Sequence, residues 1–354
     1  MSSVPVTVAE CYQYVVGVDT HAATHTLAVL AANGALIDQG TFPTSPAGLA
    51  RASDWIGRRT AGELGSVLIS AEGTGSYGAR LSGQLAEIGY RVIEAPTPAR
   101  VRGRAKTDAL DAILAARSAL ATPITALRTP RTGSTRAALA VLSTARRRMQ
   151  AERTRSINAL TALVRTYDLG IPAPRALKAT QITQIAAWRT RTESLGTATA
   201  RAEAVRLAKH IHTLAKDLKA NYAQTHTIVA RTAPQLLDQV GIGPITAAII
   251  LTAWSHPGRI HSEAAFAKMA GTSPLPASSG NTTRHRLNRT GDRHLNNAIH
   301  TIAITRTQYC PTTRAYTQRR QTQGKTPKET RRCLKRYITR QLYRLLTTTP
   351  PTLT

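Results

Sequence analysis

Four carboxylates stand where a folded first third of the chain would bring them together: Asp19 in VVGVDTH, Glu72 in VLISAEGTGSYG, and Asp108 with Asp111 in AKTDALDA. Like charges held close raise one another's pKa, so a converging set of acids is costly unless a divalent cation neutralises it. The chemistry this points to is phosphoryl transfer at a two-metal site. Each acid alone has an ordinary explanation. Asp108 after Thr107 suits the first turn of a helix, and Asp111 can serve as a solvated partner for a nearby Arg or Lys. The functional reading accounts for all four at once.

The local patterns say why these acids should meet. Tyr14 to Val18 is a β-branched run that reads as a buried strand with Asp19 at its carboxyl end. His25 to Leu30 reads as a second strand, Asn33-Gly34 as a hairpin turn, and Ala35 to Phe42 as a third strand. Ser66 to Ala71 is another apolar run ending at Glu72, and Gly73-Thr74-Gly75 lets the chain turn into a helix near Ser76. A fifth strand, Tyr90 to Ala95, precedes a basic loop and a helix through Leu110, Ile113, Leu114 and Leu120. Asp108 and Asp111 share one face of that helix. Three antiparallel strands followed by alternating helices and strands is the order of an RNase H-like fold, whose ligands bind at strand carboxyl ends. His21 and His25 lie near Asp19 and could approach the metal site, but second-strand packing or hydrogen bonding is the preferred reading for both.

Charge is segregated along the chain. The 354 residues carry 47 Lys and Arg against 19 Asp and Glu. Residues 1–127 hold 10 basic and 10 acidic residues, 128–220 hold 18 and 5, and 221–354 hold 19 and 4, so the excess of +28 divides as 0, +13 and +15. A neutral domain doing chemistry, flanked by segments that grip polyphosphate, fits this polarity. No run approaches roughly 18 uninterrupted apolar residues and no amino-terminal signal pattern is present, so a cytosolic protein with no membrane partner is expected. Aromatic residues make up only 4%, which favours backbone contacts over base stacking. Cys11, Cys310 and Cys333 have no metal-finger spacing and read as reduced thiols.

Residues 128–220 read as helical. Leu139, Leu142, Met149, Ile157, Leu160, Leu163 and Val164 form a helical stripe from Thr135 to Tyr167, among Arg146, Arg147, Arg148, Arg153 and Arg155. A Pro-containing break at Leu169 to Pro174 precedes a second long helix through about Thr192 to Tyr222. Two long helices with little core of their own suggest an antiparallel hairpin that buries its stripe against another subunit. Arg146, Arg147 and Arg148 are candidate nucleic-acid contacts. In residues 221–354, Gly241-Ile242-Gly243 ahead of Pro244 resembles a helix-hairpin-helix element that presents backbone N–H groups to a phosphate, with a plain helix connection as the alternative. Next comes GTSPLPASSGNTTRHRLNRTGDR, in which Ser278-Ser279-Gly280 can form an exposed turn and Arg284, Arg286, Arg289 and Arg293 crowd behind it in the sequence.

Taken in order, GVDTHAATHTLAVL, AEGTGSYGARL, KTDALDA, GIGPITAA, SEAAFAKMAGTSPLPASSGNTTRHRLNRTGDRHLNNAIH and RRCLKRYITRQLYRLL resemble a DEDD transposase of the insertion-sequence 110 family, over about residues 14–346. The resemblance implies an α/β plus all-α chain: a RuvC-like (RNase H-like) catalytic domain at 1–127, a coiled-coil linker and oligomerisation region at 128–220, and a mostly helical transposase domain at 221–354. It implies a recombinase that binds donor and target DNA, is guided by a bridge RNA, acts as a dimer or tetramer, and works in the bacterial cytosol or nucleoid. It places the family's four acids on Asp19, Glu72, Asp108 and Asp111, holding Mg²⁺ as two ions per site, and its serine nucleophile on Ser279, with Ser278 as the near alternative. Two positions depart from the pattern: Ala22 stands where many relatives carry Lys, and Ala109 where Pro is common. Neither removes an expected catalytic group. A hydrolytic RuvC-type resolvase, using water in place of serine, and a non-catalytic nucleic-acid-binding protein are the competing readings.

Overall fold

The structure is a computed structural model that describes residues 5–96, 107–277, 285–288 and 290–353. It divides into two compact units, residues 1–131 and 132–354. The expected boundary at 127 lies close to this division, whereas 220 falls inside a continuous helix.

The first unit contains α1 (Val8–Cys11), β1 (Tyr14–Thr20), β2 (Thr24–Ala31), β3 (Leu36–Pro43), α2 (Pro46–Arg59), β4 (Val67–Ala71), α3 (Ala79–Ile88), β5 (Arg91–Glu94) and α4 (Asp108–Leu120). Its five-stranded sheet runs β3-β2-β1-β4-β5. The first three strands are antiparallel, and β4 lies parallel to both β1 and β5. Strand alternation splits the apolar residues between two cores. Val16, Val18, Leu27, Val29 and Ile69 face α2 and α3, while Val15, Ala28, Leu30, Leu68 and Ile93 face α4. The mixed sheet with helices on both faces agrees with an RNase H-like domain. Helix α2 was not singled out by the sequence reading, although Ser45 caps it by accepting from the Gly48 N–H and Leu49, Ala52, Trp55 and Ile56 give it a buried stripe. The helix expected near Ser76 begins three residues later, because residues 74–78 are spent in turns.

The second unit is helical among its described residues apart from one pair of two-residue strands. It comprises α5 (Ser134–Thr166), α6 (Ala179–Ala186), α7 (Leu195–Thr232), α8 (Pro234–Leu237), α9 (Pro244–Trp254), α10 (Glu263–Met269), β6 (Leu275–Pro276), β7 (His285–Arg286), α11 (Arg293–Tyr309), α12 (Pro311–Thr322) and α13 (Pro327–Thr348). The two long helices, of 33 and 38 residues, would span about 50 and 57 Å at 1.5 Å per residue. The expectation that they have little core of their own does not hold. At one end Leu160, Val164, Leu177, Ile182, Ile185 and Ala204 bury one another under α6, and at the other Leu139 and Val229 join a larger core with α9, α11 and α13. Their apolar stripe is therefore covered within the chain at these two ends. Among the described residues no helix is long and apolar enough to cross a membrane. The three cysteines are free thiols, Cys11 exposed and Cys310 and Cys333 half-buried.

Candidate active site

The candidate site forms where α4 lies against β1, and a glycine allows the approach. A Cβ built on Gly17 would sit 1.9 Å from the Ala112 carbonyl oxygen and 2.7 Å from the Ala116 backbone nitrogen. The facing turns of α4 are alanine, with Ala112, Ala115, Ala116 and Ala119 fully buried. Small residues on both sides thus let helix backbone touch strand backbone, two residues before Asp19. The Ser70 hydroxyl adds a bond to the Ala115 carbonyl at 3.0 Å. Gly17→Ala is expected to destabilise the protein by about 1–3 kcal/mol through overpacking. By moving the α4 acids relative to Asp19, it should also lower DNA cleavage roughly 100-fold. Wild-type melting and cleavage in that variant would contradict the close contact.

Helix α4 begins at the site. Thr107 caps it by accepting from the Leu110 N–H at 3.3 Å, which places Asp108 and Asp111 in the first turn. His21, just beyond β1, sets its Nδ1 3.6 Å from Asp19 Oδ2 and 3.4 Å from Asp108 Oδ2. These three side chains form a group whose ligand atoms lie within 4.8 Å of one another. His21 thus stands beside the acids, the approach that the sequence left open next to packing or hydrogen bonding. His25 does pack: it is 1% exposed, on the opposite face of the sheet from Asp19, and burial pushes its pKa down toward the neutral imidazole.

Asp19 is the electrostatic centre. Burial raises its pKa above the ordinary carboxylate value; His21 opposes the rise, and the charges of Asp108 and Asp111 add to it. Its Oδ2 is buried without a hydrogen-bond partner. A buried carboxylate oxygen with no donor, beside a second carboxylate and an imidazole nitrogen, fits a divalent cation, because a cation supplies the charge the fold omits. Glu72 occupies the matching place on the next strand. Val18 pairs with Ala71 in parallel register, so Asp19 and Glu72 are the next residues of the two strands, and the Glu72 N–H donates to the Val18 carbonyl at 3.0 Å. The Thr20 hydroxyl donates to the Glu72 carbonyl at 3.3 Å. Gly73, at φ +56°, turns the chain there, and a Cβ would lie 2.7 Å from Thr20 Oγ1. The Glu72 carboxylate is outside the Asp19, His21 and Asp108 group.

Cation binding here should be visible without any reaction. At an Mg²⁺ concentration 100 times its dissociation constant, linkage would add about 2.7 kcal/mol to the stability of the folded state. At about 2–4 °C per kcal/mol, the melting temperature of the wild type should rise by about 5–10 °C. Asp19→Asn removes the buried charge, so it should melt at or above metal-free wild type and lose most of the Mg²⁺ response. Equal Mg²⁺ shifts in both proteins would place the ion elsewhere.

The expected nucleic-acid contacts are distributed unevenly. Arg146 is half-buried and ties the long helices together, donating to the Leu218 carbonyl at 3.0 Å and lying over the Tyr222 ring. Arg147 and Arg148 are exposed; Arg147 hydrogen-bonds Thr144 and His294. Gly241 and Gly243 border an open hollow of about 610 Å³ at the start of α9, where the Gly243 N–H is held by Thr246 Oγ1 at 3.0 Å. Arg286 on β7 and Arg293 at the first position of α11 are exposed. Ser278, Ser279, Arg284 and Arg289 lie outside the described residues.

A mixed sheet carrying acids at the ends of neighbouring strands and on the helix packed over them is consistent with an RNase H-like DEDD domain. Residues 16–168 match the DEDD transposase family of IS110, described as Transposase, and residues 233–318 match the Transposase IS116/IS110/IS902 family. The chain belongs to the IS110 family of transposases, enzymes that cut and rejoin DNA and use divalent metal. No curated protein matches it.

Proposed function

We propose that this transposase is the site-specific recombinase of an insertion sequence, cutting and rejoining DNA by Mg²⁺-dependent phosphoryl transfer with a serine nucleophile and directed by a bridge RNA. The observation that carries the reading is the buried Asp19 carboxylate, unpartnered at Oδ2, with His21 and Asp108 around it in a chain of this family. Asp19, Asp108, Asp111 and Glu72 would hold the metal, with His21 as an added ligand or proton acceptor. Bound there, Mg²⁺, as one or two ions, would supply Lewis-acid stabilisation of charge on the transferring phosphoryl group.

The serine chemistry balances without a further cofactor. The Ser279 oxygen, or that of Ser278, attacks a DNA phosphorus as its proton leaves. The bond from phosphorus to the departing deoxyribose oxygen breaks, and that oxygen takes up a proton. The phosphoserine ester that remains keeps the phosphodiester energy, so attack by a new deoxyribose hydroxyl rejoins DNA and frees the serine. Exposed Arg147, Arg148, Arg286 and Arg293, together with Arg284, Arg289 and the Gly241–Gly243 turn, would hold backbone phosphates of donor and target DNA and of RNA, while base pairing to the RNA supplies sequence choice. Assembly as a dimer or tetramer would bring two DNA partners together.

The guide is tested by sequencing the RNA that copurifies with the protein. Expected is one structured species with two stretches complementary to DNA, whose replacement redirects recombination. Recombination at unchanged sites after nuclease removal of all RNA would defeat the guide reading.

A further inference from the structure

We infer that the cleft between the β6–β7 pair and helices α12 and α13 seats the phosphodiester backbone of the DNA on which the transposase acts. The cleft encloses about 1010 Å³. That reaches the top of the roughly 300–1,000 Å³ range of small-molecule pockets. Here Arg286, Arg319, Arg320, Lys325, Arg332 and Lys335 line the walls, and Glu329 is the one acid among the described lining residues. Two further lining cations are already matched, since Arg340 Nε bonds Glu263 at 3.1 Å and Arg336 pairs with the same carboxylate. Arg332 lies 3.9 Å from Glu329, so the positive charge with no ion pair among the described residues is that of Arg286 on β7 and of Arg319, Arg320 and Lys325 across the opening. Like charges held this close repel, and a polyanion lying between them relieves the repulsion along its length.

The walls are braced. Tyr316 of α12 meets Tyr337 of α13 edge to face with ring centroids 5.4 Å apart, and Arg319 lies over the Tyr316 ring at 5.8 Å. Half-buried Lys335 donates to Asn296 Oδ1 at 2.6 Å, and Asn296 Nδ2 donates to the Ala270 carbonyl at 2.6 Å, just ahead of β6. Burial and the neighbouring Arg331 pull the Lys335 pKa below the usual lysine value. The negative charge of an entering phosphate would oppose that pull. The occupant is assigned as DNA because the chain is a transposase and because β6 and β7 flank, in sequence, the segment carrying Ser278 and Ser279.

This inference rests on the DNA-cutting reading above, but its test reads binding, so loss of the serine chemistry and loss of the cleft are separable. In the full-length protein, Arg319→Ala, Lys325→Ala and Arg332→Ala are combined. Binding of a labelled random-sequence DNA duplex and of a labelled RNA hairpin is followed across a salt series. Removal of three phosphate contacts should cut the slope of log K against log salt for the duplex by about 2–3 and weaken binding at least about tenfold at physiological salt. Removing equal charge at Arg51, Arg58 and Arg117 should leave the slope unchanged. A second readout uses wild-type protein alone: DNA should reduce acetylation of Lys325 by acetic anhydride several-fold while leaving exposed Lys178 unaffected. An unchanged duplex slope in the triple variant, or equal Lys325 acetylation with and without DNA, would overturn the inference. Loss confined to the RNA hairpin would overturn the assignment to DNA.

Discussion

Asp19→Asn is expected to reduce DNA strand cleavage in Mg²⁺ by about 1,000-fold or more, the scale of losing several kcal/mol of transition-state charge stabilisation. Asparagine keeps the shape of the side chain and removes only the charge. Asp19 sits on a buried strand, with its neighbours Val18 and Thr20 in the sheet ladder, so the fold should hold. Asp111→Asn should show the same loss, because the Asp111 charge acts on Asp19 from the first turn of α4. Both variants should bind DNA and RNA nearly as wild type does, since residues 1–127 carry no net charge and the excess of +28 lies beyond them. His21→Ala should give a smaller loss, because an imidazole can be replaced by water on Mg²⁺ more readily than a carboxylate can. Cleavage at the wild-type rate by Asp19→Asn would remove the carboxylate site from the chemistry.

Ser279→Ala is expected to abolish cleavage by at least about 10⁴-fold, the scale seen when a nucleophile is deleted, while the Mg²⁺-dependent rise in melting temperature persists. The segment from Pro274 through Ser278-Ser279-Gly280 is built of turn formers, where loss of one hydroxyl costs little stability, usually within about 0.5 kcal/mol. A large loss of activity with an unchanged melt is therefore chemical. Ser278→Ala is the internal comparison: it should retain cleavage. If the two results are exchanged, the nucleophile moves by one residue. If both variants cleave normally, the reaction is hydrolytic and water is the nucleophile.

How much was legible in the sequence depended on whether the signal was local. The β1 run, the Asn33-Gly34 hairpin and the alternation into Ala71 are short-range patterns, and the structure forms strands at those places. The first-turn positions of Asp108 and Asp111 followed from Thr107 and helix periodicity alone. The place of His21 between two acids was not legible because it depends on α4 arriving over β1, a contact between residues far apart in the chain. The signal that could have found it was Gly17, a glycine inside a β-branched run, which marks a close backbone approach. Arg146 belonged to an arginine cluster that read as three candidate nucleic-acid contacts, yet it donates across to the Leu218 carbonyl of α7 while Arg147 and Arg148 are exposed. The helix pair's own core was hidden because α6 and the residues that seal it, such as Ile182 and Ile185, lie between the break at Leu169 to Pro174 and the second long helix, where no element was assigned.

The most direct measurement is the state of the cleaved DNA end. Wild-type protein with its copurified RNA is incubated with donor DNA in Mg²⁺, denatured, digested with protease and analysed by mass spectrometry. A DNA–peptide adduct mapping to Ser279 is expected, lost in EDTA and lost in Asp19→Asn. Free 5′-phosphate ends with no attached peptide, at the same yield of cleavage, would contradict the serine recombinase and identify a hydrolytic nuclease.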